Sequence, residues 1–228
     1  GAFARRAADG AVTTLVAGQG NYKQLAWDEA GGQLALVTDK DDYSADAPVF
    51  ALYHWSAGAP AAKALVAATA AGLPPGHAVS EHGTLEFSKD GERLFLGTAP
   101  RPVAERGEDA PEPIKVDLWH WKDPLIQPMQ KARAEEEKKR SYRAVVHLKD
   151  GRFVQLATPE VPELALTPDG QAVMAQSSRP YEPLVSWDGQ YRDVYGVDLA
   201  SGATRRLAEK NRFEATISPA GRFVLYYS

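Results

Sequence analysis

Four carboxylates crowd one stretch of this chain: Asp39, Asp41, Asp42 and Asp46. Clustered carboxylates are what a hard cation such as calcium needs, and the stretch opens on a D-x-D pattern. The glycine and the closing glutamate of a calcium-binding loop are missing, so it reads as a solvated acidic loop with Asx turns. The histidines are His54, His77, His82, His120 and His147, and none has the helical spacing that sets two metal ligands on one face. No metal site and no cofactor is expected. Cysteine is absent, which removes thiol nucleophiles, disulfides and cysteine-based zinc sites. A hydrolase serine needs a Gly-x-Ser-x-Gly elbow between a strand and a helix. The nearest run, Ser186-Trp187-Asp188-Gly189, lacks the leading glycine. This chain alone is therefore expected to carry no catalytic residue.

The remaining chemistry is that of binding. Arg179, Tyr181, Trp187 and Tyr191 share one loop and offer a cation, two phenols and an indole. With Asp39, Asp41 and Asp42 they are the candidate substrate- or partner-facing residues. The candidate lining loops are residues 38–48, 99–113 and 179–192. Glu135, Glu136 and Glu137 are followed directly by Lys138, Lys139 and Arg140 and read as a solvated helix face. Arg143 adds to the basic cluster, but the glutamates cancel much of it. With 26 Lys and Arg against 30 Asp and Glu in 228 residues, the net charge is −4, and nucleic acid is not an expected partner.

A repeat must position these side chains. Leu25, Trp27, Gly31 and Leu34 recur in pattern as Leu85, Phe87, Gly91 and Leu94, as Leu164, Leu166, Gly170 and Val173, and as Ala215, Ile217, Gly221 and Val224. The glycine, often after Asp, supplies the positive φ of a tight turn, and the flanks read as strands alternating with period two. A second hairpin follows, with turns at Gly58, Gly151 and Gly202, and Gly10 marks the same element near the start. Two hairpins per repeat make a four-stranded unit of the size of a propeller blade. The expected fold is all-β: a partial β-propeller of four-stranded antiparallel blades. Complete blades are expected at about 21–66, 82–158 and 161–208, with the last two strands of a blade at 3–15 and the first two at 213–228. Open blade edges make self-association an expectation. Trp27 and Phe87, at equivalent positions, are expected in the core.

One helical insertion interrupts the second blade, at about 128–142. Opposite charges at four-residue spacing support it: Lys131 with Glu135, Arg133 with Glu137, Glu135 with Lys139 and Glu136 with Arg140. It has little apolar face, so it is expected on the surface. Before it, residues 114–121 alternate like a strand. No apolar run is long enough to span a membrane as a helix.

Residues 116–148, VDLWHWKDPLIQPMQKARAEEEKKRSYRAVVHL, resemble the propeller of bacterial prolyl-oligopeptidase-family serine peptidases, of the WD40-like, TolB-type kind. Residues 38–55 and 179–202 resemble the same family. In that family a β-propeller caps an α/β-hydrolase domain, filters access and helps hold the peptide. The resemblance implies a non-catalytic propeller region that handles peptide for a hydrolase domain absent from this chain. It also implies a periplasmic or secreted parent with serine peptidase activity of the prolyl oligopeptidase or dipeptidyl peptidase type. The paired glutamates with which dipeptidyl peptidases of the family hold a substrate N-terminus have aromatic neighbours, whereas Glu135–Glu137 have Lys and Arg. The alternative is a free-standing propeller that serves as a protein-binding scaffold; a sugar- or metal-dependent propeller enzyme is a weaker third.

Overall fold

The structure, a computed structural model, describes residues 1–104, 118–120 and 123–227. Its strands form antiparallel sheets in which chain neighbours pair. The first is a hairpin of β1 (Ala2–Arg5) and β2 (Val12–Val16). The second runs β3 (Tyr22–Trp27), β4 (Gln33–Thr38), β5 (Ala51–Ser56) and β6 (Lys63–Val66). In the third, β7 (His77–Val79) and β8 (Glu86–Phe87) both pair with β9 (Arg93–Pro100), followed by β10 (Tyr142–His147) and β11 (Arg152–Gln155). The fourth holds β12 (Glu163–Leu166), β13 (Val173–Ser177), β14 (Arg192–Val197) and β15 (Thr204–Asn211). The last is β16 (Thr216–Ile217) with β17 (Val224–Leu225).

The sheets stack face to face in chain order, each contact sealed by an apolar layer. Leu15, Val16, Leu34 and Leu36 join the first two sheets. Ala35, Val37, Leu94, Leu96, Ala144 and Val146 join the second and third. Phe95, Val145, Leu156 and Val173 join the third and fourth, and Met174, Val194 and Ala215 the fourth and last. Successive side chains of a strand point to opposite faces. Leu34 and Leu36 therefore enter one layer while Ala35 and Val37 enter the next. This is the stacking of propeller blades, and the fold is a partial β-propeller with one short surface helix.

The central strands correct one expectation. Along Leu34–Thr38 and Leu94–Thr98 the chain is buried without a break, not half-buried in alternation. Both faces are covered, so both sets of side chains must be small or apolar. Trp27 is a second correction. It is 48% exposed, edge-on to Trp55 with ring centroids 6.3 Å apart. Its strand β3 lies at the sheet's edge, with burial alternating along it. Phe87 is partly buried against the second apolar layer.

The first turn of each repeat is built alike. Gly31, Gly91, Gly170 and Gly221 have φ of 69°, 69°, 69° and 67°, where an L side chain is strained. Three residues earlier in each, a short polar side chain accepts the amide five residues on. Asp28 takes Gln33 at 2.7 Å, Ser88 takes Arg93 at 3.0 Å, Thr167 takes Ala172 at 3.0 Å and Ser218 takes Phe223 at 3.1 Å. Neighbouring turns also touch: Gln33 Nε2 donates to the Gly91 carbonyl at 3.0 Å and an Arg93 guanidinium nitrogen to Gln171 Oε1 at 2.7 Å.

The helix α1 (Gln127–Lys138) begins with Pro128 in its first turn and buries no residue. It stops short of residue 142 because Tyr142 already pairs with Thr98 in the β10–β9 ladder. Glu137 pairs with Arg140 just past the helix end, and Glu135 with Lys138 at 2.6 Å, not with the partners expected four residues away. The strand expected over 114–121 lies mostly outside the described residues. Leu118, Trp119 and His120 are in no strand, and Leu118 is 91% exposed.

Candidate functional site

Up-and-down pairing places the first and third connections of every sheet at one end of the stack and the second connection at the other. The first and third connections are tight turns around the repeat glycines. The second connections are long: residues 39–50 between β4 and β5, 101–141 between β9 and β10, and 178–191 between β13 and β14. All three loops singled out from sequence therefore belong to one end of the molecule, although residues 105–113 of the middle one lie outside the described residues. Tyr43, Val103, Leu118, Trp119, Ile126 and Trp187 are exposed large apolar side chains of this end. Among the described residues, the tight turns opposite carry one, Phe223.

Residues 179–192 are held from below. Arg179–Leu184 form a 3-10 turn, and the Tyr181 hydroxyl donates to Asp193 Oδ1 at 2.7 Å. Asp193, 3% exposed, also accepts the Lys210 amide at 3.0 Å and the Tyr195 hydroxyl at 3.2 Å, with Arg206 at 3.6 Å. Burial works against its charge, but these donors outweigh it and hold its pKa below the ordinary value. Burial and the Asp193 carboxylate together push Tyr181 up to about 12. The Tyr181 and Tyr191 rings meet edge-on at 6.1 Å, and Lys210 Nζ sits 4.6 Å from the Tyr191 centroid. Trp187 is 81% exposed above this support. Tyr181 and Tyr191 thus position the loop, while Arg179 and Trp187 face outward.

Arg179 lines a cleft of about 590 Å³ between α1 and the 3-10 turn. Arg133, Glu137 and Arg140 line its helix side, and Glu163 and Glu182 the side of the fourth sheet. The Arg140 guanidinium, with Arg179 and Arg133 acting at longer range, lowers the Glu137 pKa. Sequence reading missed this cleft because its walls lie some forty residues apart in the chain.

The acidic residues of 38–48 do not join that cleft. Asp39, 2% exposed, accepts the Asn21 amide at 2.7 Å and Asn21 Nδ2 at 2.8 Å, tying the approach to β3 onto β4. It borders a separate cavity of about 420 Å³ with Lys23, Glu81 and Lys138. Asp42 accepts the Val49 amide at 3.0 Å and so closes its own loop. Asp41 binds Lys40 and the Tyr53 hydroxyl; the Lys40 hydrogen bond is the larger cause of its lowered pKa. Among the described residues no three His, Asp or Glu side chains converge as metal ligands.

His54 meets Gln33 Oε1 at 2.9 Å, His77 the Pro75 carbonyl at 3.2 Å, His147 the Leu199 carbonyl at 2.9 Å, and His82 lies 3.9 Å from Glu81. A groove of about 900 Å³ lies elsewhere, between β14–β15 and β16–β17. Val197 and Leu207 line it where the hairpin covers only part of the fourth sheet. It is the flank of an apolar layer, rimmed by Arg93, Asp198, Arg205 and Arg222.

No known family model and no curated protein matches the chain. Solved structures follow a similar backbone path. One is a prolyl endopeptidase, at 12% identity and a TM-score of 0.46, covering 90% of this chain and 25% of that one. Another is the β-propeller domain of the Trilobed protease from Pyrococcus furiosus, at 14% identity and 0.41, covering 86% and 45%. A third is an oligogalacturonate lyase in complex with manganese, at 13% and 0.42, covering 93% and 47%. This chain spans between about a quarter and about half of their lengths. Proteases and a lyase sit side by side here, so the likeness is one of fold and chooses no chemistry. Among the described residues no helix is long and apolar enough to cross a membrane.

Proposed function

We propose that this chain is the non-catalytic β-propeller region of a prolyl-oligopeptidase-family serine peptidase. The face of long connections gates and helps hold a peptide for a hydrolase domain carried outside residues 1–228. The three larger sheets are complete blades in this reading, and the hairpins β1–β2 and β16–β17 are the last and first halves of others. The parent is exported to the periplasm or secreted.

One observation carries the reading. The three runs that resemble the family, residues 38–55, 116–148 and 179–202, each overlap the second connection of a successive sheet. They are far apart in the chain and come to one end of the stack. A face built from equivalent loops on a rigid scaffold is where selectivity can vary without disturbing the core. Arg179, Trp187 and the α1 cleft are the groups by which it would engage peptide.

Two measurements test this. Purified chain should hydrolyse no fluorogenic peptide and take up no fluorophosphonate label; serine-directed labelling would overturn the non-catalytic claim. The coding sequence that follows residue 228 should encode a Gly-x-Ser-x-Gly elbow in frame. A stop codon there would favour the free-standing scaffold.

A further inference from the structure

The cleft between α1 and the 3-10 turn contains charges that the fold itself does not balance. Arg140 is taken by Glu137, and Glu163 lies 3.9 Å from Arg192, which also reaches Glu214 at 3.5 Å. The Asp123 carboxylate accepts the His120 amide at 2.8 Å and Gln130 Nε2 at 3.3 Å. Arg133 and Arg179 form no ion pair or hydrogen bond through their side chains among the described residues, and neither does Glu182. Two guanidinium groups without an ion pair thus line opposite walls, and the Asp123 and Glu182 carboxylates beside them have no Lys or Arg partner among the described residues. Both guanidinium groups act on Glu137, which fixes them within electrostatic range of one point.

Resting on the reading of this face as peptide-handling, we propose that the cleft binds a peptide carboxylate, held between Arg133 and Arg179. The planar guanidinium fork matches a carboxylate in bidentate fashion, which a lysine would not. The volume of about 590 Å³ suits a terminal residue and not a folded domain. Asp123 and Glu182 disfavour a second negative charge, so the site takes a monoanion. The carboxylate comes from a chain terminus or from an acidic side chain.

The test uses the full chain and three probes: acetyl-trialanine with a free carboxylate, the same peptide as its amide, and acetyl-Ala-Glu-Ala-amide. Affinity is read by titration calorimetry or chemical-shift titration at low and at 0.5 M salt. The free acid should bind about tenfold tighter than its amide, the scale of one charge-assisted contact, and the preference should shrink at high salt. Arg133→Ala and Arg179→Ala should each erase that preference, and Glu182→Gln should strengthen it. Both arginines are exposed, so the variants should retain the parent circular dichroism spectrum. Tight binding of the glutamyl amide assigns the source to side chains, and its failure to bind assigns it to the terminus. Equal binding of acid and amide, or arginine variants that keep the preference, overturns the carboxylate site but leaves peptide handling intact. Binding of none of the three overturns both.

Discussion

Tyr181 donates to Asp193 across 2.7 Å, joining a buried carboxylate beneath residues 179–192 to the turn it supports. The carboxylate is 3% exposed and shared with the Lys210 amide, so the loop, β14 and the end of β15 meet at one group. Removing the phenol leaves a buried acceptor short of a donor. Tyr181→Phe should lower unfolding free energy by about 1–2 kcal/mol, and Asp193→Ala by about 2–4 kcal/mol, in urea titrations. Amide exchange should quicken in residues 179–192 before it does in the central strands. Unchanged loop protection in Tyr181→Phe would show that the contact positions nothing.

The same pair sets a pH dependence with a definite sign. Asp193 is lowered in the folded state, so its contribution is present above its ordinary value of 3.8 and lost as acid protonates it. Tyr181 is raised from 10.0 to about 12, so its contribution is present below 10 and lost as pH climbs toward 12. Melting temperature should be level near neutrality and fall at both extremes. In Tyr181→Phe the alkaline fall should be shallower, and an identical alkaline limb in the two proteins would contradict the assignment.

Two repeat glycines separate backbone strain from crowding. Gly151 and Gly170 share a φ of 69°, but a Cβ at Gly151 meets nothing within 4 Å while one at Gly170 lies 2.9 Å from Ser88 Cβ. Gly151→Ala should cost about 1–2 kcal/mol, the price of the left-handed conformation. Gly170→Ala should cost more, because neighbouring turns must also move apart. Equal losses in denaturant titrations would mean that the turns are not in contact.

Phe95 and Trp187 predict opposite outcomes from aromatic truncation. Phe95 is 1% exposed in the layer between the third and fourth sheets, and Phe95→Ala should destabilise by about 3–5 kcal/mol. Trp187 is 81% exposed, and Trp187→Ala should stay within about 0.5 kcal/mol of the parent. A large loss at Trp187 would place its indole inside the fold.

What could be read from sequence was local. Gly31, Gly91, Gly170 and Gly221 announce their turns because a positive φ is a constraint on one residue, and the repeat of that constraint gives the blades. Burial on both faces of β4 and β9 was less legible, since it depends on neighbours distant in the chain. Trp27 occupies the repeat position of Phe87 yet faces outward, because β3 has an open flank. At the candidate site the aromatic loop was visible as composition, but the roles of its members were not. Tyr181 is an anchor only because residue 193 lies beneath it. Likewise, Arg133 is unpaired only because Glu137 turns to Arg140 instead.

The central claim is that the end of long connections, and not the end of tight turns, meets peptide. Isotope-labelled chain titrated with the acetylated trialanine acid tests it most directly, by mapping which amide signals move. The account predicts movement centred on Arg133, Arg179, Glu182 and Trp187. Movement centred on the turns at Gly91, Gly151, Gly170 and Gly202, or none at millimolar peptide, would contradict it.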